Sequence, residues 1–391
     1  MDKIQHSVLE IISDIKKFGD KAICRYIRKY DNLNLTPQNF FVTENEIKEK
    51  IKFIDDKLAI SIEKSAENIR LFHEQELKYC THKWAYTKEG IELGQIFNPV
   101  EKVGIYVPGG KFCYFSTLLM TAIPARVAGV KEIIVMTPPN NITPQLLFSS
   151  KITKVDKICR IGGPMAIAAL AYGTESIPKV DLIVGPGNIY VTEAKRQVYG
   201  VVGLDMLAGP SEIAIICDRT ANPEYIYYDL LSQIEHDKNS KGYLFCDDIK
   251  IIRQIKKLIP QKIKKQIIIS YNKTDKSIQE INKIAPEHLE IIHSNPKYIL
   301  NKIRNAGMIF IGNYSPVVLG DYFAGPSHVL PTNRTATFSS GLSVRTFIKH
   351  TNYIKYTKNG LIENIDYIIK LSESEGLKFH SESIKIRRKN R

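Results

Sequence analysis

The chain reads as an α/β protein with mainly parallel strands, arranged in two layers of similar build with helical arms at each end. Three observations predict this. Short apolar runs alternate with helical patterns from residue 103 to residue 311, the rhythm of strands buried on both faces beneath crossover helices. The rhythm is interrupted by an apolar helix that ends near Gln233 and then returns. Tight Gly/Pro turns close several of the strands, and no low-complexity linker separates the layers.

In order, Ile4, Val8, Ile11, Ile12, Ile15 and Phe18 recur at helical spacing and predict an amphipathic helix ending near Gly19-Asp20. A second helix covers about 22–30, and a longer amphipathic region spans about 44–77. His73 falls within that region and reads as a helix residue with one polar contact. Strands are expected at 103–107, 132–136, 157–160, 181–184 and 212–217, with helices around 118–128, 166–171 and 190–198 between them. After a helix from Pro223, further strands follow at 242–245, 266–270, 288–292 and 308–311. The turns Pro108-Gly109-Gly110, Gly162-Gly163, Gly185-Pro186-Gly187-Asn188 and Ala208-Gly209-Pro210-Ser211 follow strands. That edge is where open α/β sheets bind ligands, and a following helix N-terminus favours phosphate. The Gly-x-Gly-x-x-Gly dinucleotide fingerprint does not follow the first strand.

The totals narrow the field. A chain of 391 residues can bury a sizeable core in two or more domains. Lys and Arg number 55 against 41 Asp and Glu, a formal charge of +14. The bases are spread along the chain, densest at 385–391, without zinc-finger spacing, an RNP-like motif or a basic zipper. A compositional bias toward Lys and Ile explains the charge better than a nucleic-acid partner does. Cys24, Cys80, Cys113, Cys159, Cys217 and Cys246 are scattered, which suits free thiols in a reducing compartment. No apolar run reaches the roughly 20 residues of a membrane span, and Met1-Asp2-Lys3-Ile4 lacks a signal peptide's apolar core. A cytoplasmic protein without membrane or nucleic-acid partners is expected.

Four polar groupings stand out. Gln233 and His236 are three apart and leave one helix face together, where they could share a metal ion or hydrogen-bond each other. Glu287 and His288 meet at the mouth of a strand, either as a general-base set or as a surface acid beside a capping histidine. Asp321 and His328 lie on one Gly/Pro-rich loop, and Glu375 and His380 form a similar pair near the C-terminus. His6, His82, His293 and His350 lack such company and read as structural or solvated.

Seven motifs run in order: Tyr106-Val107-Pro108-Gly109-Gly110; Val184-Gly185-Pro186-Gly187-Asn188; Asp205-Met206-Leu207-Ala208-Gly209-Pro210-Ser211-Glu212; Ser232-Gln233-Ile234-Glu235-His236; Ala285-Pro286-Glu287-His288-Leu289; Gly320-Asp321-Tyr322 with His328-Val329-Leu330-Pro331-Thr332; and Glu375-Gly376-Leu377 with His380. With them the chain, from about Val8 to Arg388, resembles the histidinol dehydrogenase family, zinc- and NAD-dependent enzymes of the last two oxidations in histidine biosynthesis. The resemblance implies two incomplete Rossmann-like domains, small terminal arms and an intertwined homodimer whose active site is shared between subunits. It implies an N-terminal arm over 1–24, a zinc-bearing catalytic domain over 25–105 and 213–345, an NAD-side domain over 106–212, and a C-terminal arm over 346–391. It implies that Gln233, His236, Asp321 and His380 hold one Zn2+ per subunit, all nitrogen or oxygen donors of the kind zinc accepts. Glu287 and His288 match the acid–base pair. Ser211, His328 and Glu375 match contacts to the substrate L-histidinol, alongside the metal ligands and His288. Tyr106 and Asn188 match NAD contacts.

Two positions depart from the family pattern. Met165 stands where a cofactor-contacting glutamine is common, and a thioether cannot replace the amide's hydrogen bonds. Thr337 stands where an arginine is usual. The implied chemistry is two successive oxidations at one site: His288 takes a proton as each hydride leaves, and Glu287 activates water in between. The rival is a paralogous zinc/NAD dehydrogenase for another small polar alcohol, such as a sulfonated diol. Glu375 and His328, both present, favour histidinol.

Overall fold

The computed structural model describes residues 3–80, 83–109, 113–235 and 237–389. The expectations for His82, Gly110 and His236 lie outside the described residues. The chain divides into two units, Met1–Leu77 with Val100–Phe347, and Lys78–Pro99 with Ile348–Arg391. No helix among the described residues is long and apolar enough to cross a membrane.

Helix α1 (Lys3–Asp31) joins the two expected N-terminal helices across a break at Gly19, where φ is +51°. A side chain there would collide with Glu175, whose Oε2 accepts the Asp20 amide at 2.9 Å. Glycine is what lets the chain turn this corner. The apolar stripe of α1 (Val8, Ile11, Ile12, Ile15, Ile23, Ile27) is buried. Helices α2 (Glu44–Ile51) and α3 (Asp56–Cys80) follow, and then a hairpin of β1 (Trp84–Lys88) and β2 (Ile91–Pro99) that belongs to the smaller unit. His73 is fully buried on α3, with Nδ1 2.9 Å from Glu76 Oε2, the single polar contact expected of it.

The larger unit holds two five-stranded parallel sheets. The first is built from β3 (Lys102–Tyr106), α4 (Phe115–Ala128), β4 (Glu132–Met136), α5 (Pro144–Ile152), β5 (Lys157–Cys159), α6 (Gly163–Tyr172), β6 (Leu182–Val184), α7 (Ile189–Val198) and β7 (Gly203–Leu204). Its strand order is β5-β4-β3-β6-β7. The second comprises β8 (Glu212–Cys217), α8 (Pro223–Ile234), β9 (Lys241–Cys246), α9 (Ile249–Leu258), β10 (Ile267–Tyr271), α10 (Thr274–Ile284), β11 (His288–Ile292), α11 (Pro296–Leu300), β12 (Met308–Ile311) and α12 (Val317–Tyr322). Its order is β10-β9-β8-β11-β12. Both sheets therefore have the doubly wound order, reversing direction once, between β3 and β6 in one and between β8 and β11 in the other. The core of each sheet is apolar on both faces, as crossover helices demand: Ile133 to Met136 and Ile213 to Cys217 are all buried.

Two details differ from the expected layout. All of β3, through Tyr106, pairs with β4, and Val103 to Ile105 also pair with β6, so a boundary at 105/106 would cut a strand that belongs entirely to the first sheet. The C-terminal arm is also not helical from its start. Strand β13 (Ile348–Tyr356) pairs antiparallel with β2 from Ile348↔Pro99 to Tyr356↔Ile91, giving the smaller unit a sheet of order β1-β2-β13. Helices α13 (Lys358–Ser374) and α14 (Lys378–Lys389) complete it. Most of β13 is exposed on both faces, so its sequence lacks the apolar alternation of a half-buried strand.

Candidate active site

The catalytic candidates gather at the N-terminal edge of the second sheet. β8 and β11 are neighbours there, with His288 opposite Ile213 on one side and Met308 on the other. Glu287 directly precedes β11 and is 7% exposed. Its Oε2 accepts the backbone N–H of Glu212 at 3.1 Å and lies 3.7 Å from His288 Nδ1. Burial raises the Glu287 carboxyl well above the usual range, and the charges of Asp321 and Glu212 push the same way against the single hydrogen bond from the amide. A carboxylate so placed is a stronger base than one in water. His288 is buried, 6.0 Å from the Phe310 ring. The pair is therefore interior, and the alternative of a surface acid with a capping histidine does not apply.

Beside them stand Gln233 and Asp321. α8 starts where Asn222 Oδ1 accepts the Glu224 amide at 2.9 Å and Pro223 takes the first turn. Its inward face carries Ile226, Leu230, Gln233 and Ile234. Gln233 is 1% exposed, and its Nε2 donates to Asp321 Oδ2 at 3.4 Å. An amide and a carboxylate aimed at one point are the beginning of a hard-donor metal site, and with the amide turned over both would present oxygen. Among the described residues no group of three or more His, Cys, Asp and Glu side chains forms a metal cage. Among the described residues of the larger unit, this pair is the part of the expected zinc set that comes together.

The loop after α12 is held from two sides. On α3, the Ser65 hydroxyl donates to the Tyr322 carbonyl, and Asn68 Nδ2 donates to the Phe323 carbonyl at 3.0 Å. His328 Nδ1 lies 2.9 Å from the Asp321 carbonyl and must carry a proton to donate to it. Its Nε2 is 3.4 Å from Thr117 Oγ1 on α4. Burial lowers the His328 pKa, so a neutral ring offers Nε2 as an acceptor.

Sequence reasoning missed a pair of acids beneath this cluster. Glu290 follows His288 by two residues and so shares its strand face. It is 2% exposed, and its Oε1 accepts the amide of Val317, the first residue of α12, at 3.0 Å. The Asp229 carboxyl of α8 faces it, and burial raises both, Asp229 to about 6. Two carboxyls facing each other need a proton between them. The signal was an acid at an inward position of a fully buried strand.

The cofactor candidates lie at the C-terminal edge of the first sheet. Tyr106 ends β3, 3% exposed, and its hydroxyl accepts the Gly163 amide at the start of α6 at 3.0 Å. Burial pushes its pKa up to about 12. Met165 is 3% exposed and belongs to the same apolar core. Asn188 is exposed and caps α7, its Oδ1 accepting the amides of Tyr190 at 3.0 Å and Val191 at 3.1 Å. The Gly185-to-Asn188 turn sits at the switch point between β3 and β6. A Cβ at Gly187 would strike Val191 at 2.3 Å, so the backbone there stays bare for close approach. Ser211 is half-buried at the entrance to β8, and its carbonyl accepts the Lys241 amide at 3.1 Å. The cofactor candidates thus lie at the C-terminal ends of the first sheet's strands, whereas Glu287 and His288 lie at the N-terminal end of β11 in the second.

Three candidates remain. Glu375, just past α13, and His380, on α14, are exposed residues of the smaller unit. Thr337 is exposed, and its hydroxyl donates to the Arg334 carbonyl at 2.9 Å within a single local turn.

A sequence profile described as Histidinol dehydrogenase matches residues 1–388. The histidinol dehydrogenase of Methanococcus maripaludis is 48% identical over 395 residues, spanning 97% of this chain and 92% of its own length. That of Oceanobacillus iheyensis is 46% identical over 410 residues, spanning 99% and 94%. The crystal structure of histidinol dehydrogenase from Elizabethkingia anophelis superposes with a TM-score of 0.93 at 38% identity, covering 100% of this chain and 93% of that one.

Proposed function

The chain belongs to the histidinol dehydrogenase family, and from that premise we propose that it oxidises L-histidinol to L-histidine through bound L-histidinaldehyde, with NAD as acceptor in both steps. The observation that carries the reading is the buried Glu287–His288 pair set beside Gln233 and Asp321. The donor chemistry of Gln233, His236, Asp321 and His380 fits zinc, which would hold the substrate's amine and imidazole and so fix its carbinol, while NAD would take the hydride.

The chain's own groups supply the proton chemistry. His288 takes the hydroxyl proton in the first oxidation. Glu287, made basic by burial, takes a proton from the water that adds to the aldehyde carbon. The hydrate then gives its hydroxyl proton to His288 in the second oxidation, so the aldehyde reacts without release. Neutral His328 accepts a hydrogen bond from substrate, and Ser211 and Glu375 complete its recognition. Tyr106, Met165 and Asn188 would hold NAD at the C-terminal edge of the first sheet. The enzyme works as a homodimer, one subunit's C-terminal arm supplying Glu375 and His380 to the other's site. Exposed apolar groups on that arm support this: Ile354 is 73% exposed, Tyr367 71%, Leu371 67% and Phe379 82%.

Zinc analysis combined with NADH formation from L-histidinol tests the reading. Two NADH per histidinol are expected, and a protein that forms none from this alcohol overturns it.

A further inference from the structure

We propose that Lys195 and Asp205 are a positioning pair that fixes the cofactor turn after β6 against the segment leading to Ser211, and so sets the distance between the NAD and substrate seats. The inference rests on the placing of NAD at the first sheet's C-terminal edge.

Lys195 lies on α7 and Asp205 directly follows β7; their side chains are 2% and 1% exposed. The ammonium donates to Asp205 Oδ1 at 2.5 Å and to the Gly185 carbonyl at 3.0 Å. The carboxylate accepts the Gly185 amide on Oδ2 at 2.7 Å and the Met206 amide on Oδ1 at 2.6 Å. Both polar groups of Gly185's backbone are thus taken by this one ion pair. Gly185 sits at the switch point with φ +104°, and a Cβ there would lie 2.2 Å from the Tyr106 carbonyl oxygen. Its conformation is held by two buried side chains rather than by the sheet.

The same helix grips the segment a second time. Thr192 Oγ1 donates to the Ala208 carbonyl at 3.2 Å, and Gly209 N–H donates to Thr332 Oγ1 at 2.7 Å. From the pair outward, the turn bearing Asn188, the segment ending at Ser211 and the loop after His328 are tied in sequence. A buried ion pair is a poor device for stability, because desolvation offsets its attraction and apolar substitutes are often tolerated. It is a good device for fixing two backbones, since each charge accepts or donates along set directions.

The test uses the double variant Lys195→Met/Asp205→Asn, which strands no buried charge. Its kcat/KM with NAD should fall about ten- to a hundredfold, the loss expected from a displaced reacting centre. Calorimetry should show weaker NAD binding while histidinol binding to the cofactor-free enzyme stays within about twofold of wild type. Unchanged NAD affinity and kcat/KM in a folded double variant overturn the proposal. So does a lower melting temperature with no change in the kinetic constants, which is what a purely structural pair would give. If the double variant does not fold, Thr192→Val cuts the second tie alone; weaker NAD binding supports the proposal and unchanged binding overturns it. Failure of the wild type to bind NAD would sink the cofactor reading itself, a distinguishable result.

Discussion

The backbone N–H of Glu212 donates to Glu287 Oε2 across 3.1 Å, so the first residue of β8 holds the carboxyl that precedes β11. One hydrogen bond is weak support for a buried anion, and the carboxyl stays basic as a result.

If Glu287 serves only to activate water, Glu287→Gln should slow aldehyde oxidation by about 10²–10⁴ and leave alcohol oxidation within about tenfold of wild type. His288→Asn should slow both. Feeding the alcohol and the aldehyde separately reads the two steps. Equal losses in both for Glu287→Gln would contradict the division of roles.

The Asp229–Glu290 pair gives a pH signature. Burial raises the Glu290 carboxyl in the folded state. As pH rises past the ordinary carboxylate range, the unfolded chain releases this proton first, and folding stability declines until the folded-state pKa is passed. Glu290→Gln removes that decline while its amide oxygen still accepts the Val317 N–H. Relative to wild type it should show no gain in urea unfolding near pH 4 and a growing gain toward pH 7. A pH-independent difference would mean that no proton is held there.

Dialysis against a chelator should abolish turnover, with zinc restoring it, while far-ultraviolet circular dichroism stays near that of the untreated protein. The sheet cores are too large to depend on one ion. Full turnover in metal-free protein would refute the zinc assignment.

Met165→Gln should tighten NAD binding by about 0.5–1.5 kcal/mol, the worth of one recovered hydrogen bond. Because the residue is 3% exposed, the free protein should lose stability as an amide enters apolar surroundings. Unchanged NAD affinity in calorimetry would place Met165 outside the cofactor's reach.

His380→Ala and Gln233→Ala proteins should each be inactive, and mixing them should restore activity if sites are completed in trans. With free exchange half the dimers are mixed and one of their two sites is intact, so about a quarter of wild-type activity should return. Exchanged dimers that stay dead would place His380 in its own subunit's site.

The two parallel sheets were readable because their central strands are covered on both faces and write largely apolar runs, as in Ile133 to Met136. Glu287 and His288 could be placed at a strand mouth for the same reason. What escaped depends on partners distant in sequence. β13 is a strand only because β2 accepts it, and Lys195 reads as an ordinary helix cation until the fold brings Asp205 to it. Glu290 was overlooked as a companion of His288, although alternation along β11 turns both to the same side.

The pairing of β2 with β13 also sets a schedule for synthesis. Every strand of the two parallel sheets finds its neighbours within a stretch of local βα repeats, but β2 must wait for a partner encoded roughly 250 residues later. At translation rates of about 5–20 residues per second, its edge stands open for about ten seconds to a minute on the ribosome. An open edge is a template for another chain's strand. A message truncated before Ile348 would therefore yield a protein with both large sheets intact and one permanently adhesive margin, and its fate should be aggregation in proportion to expression level.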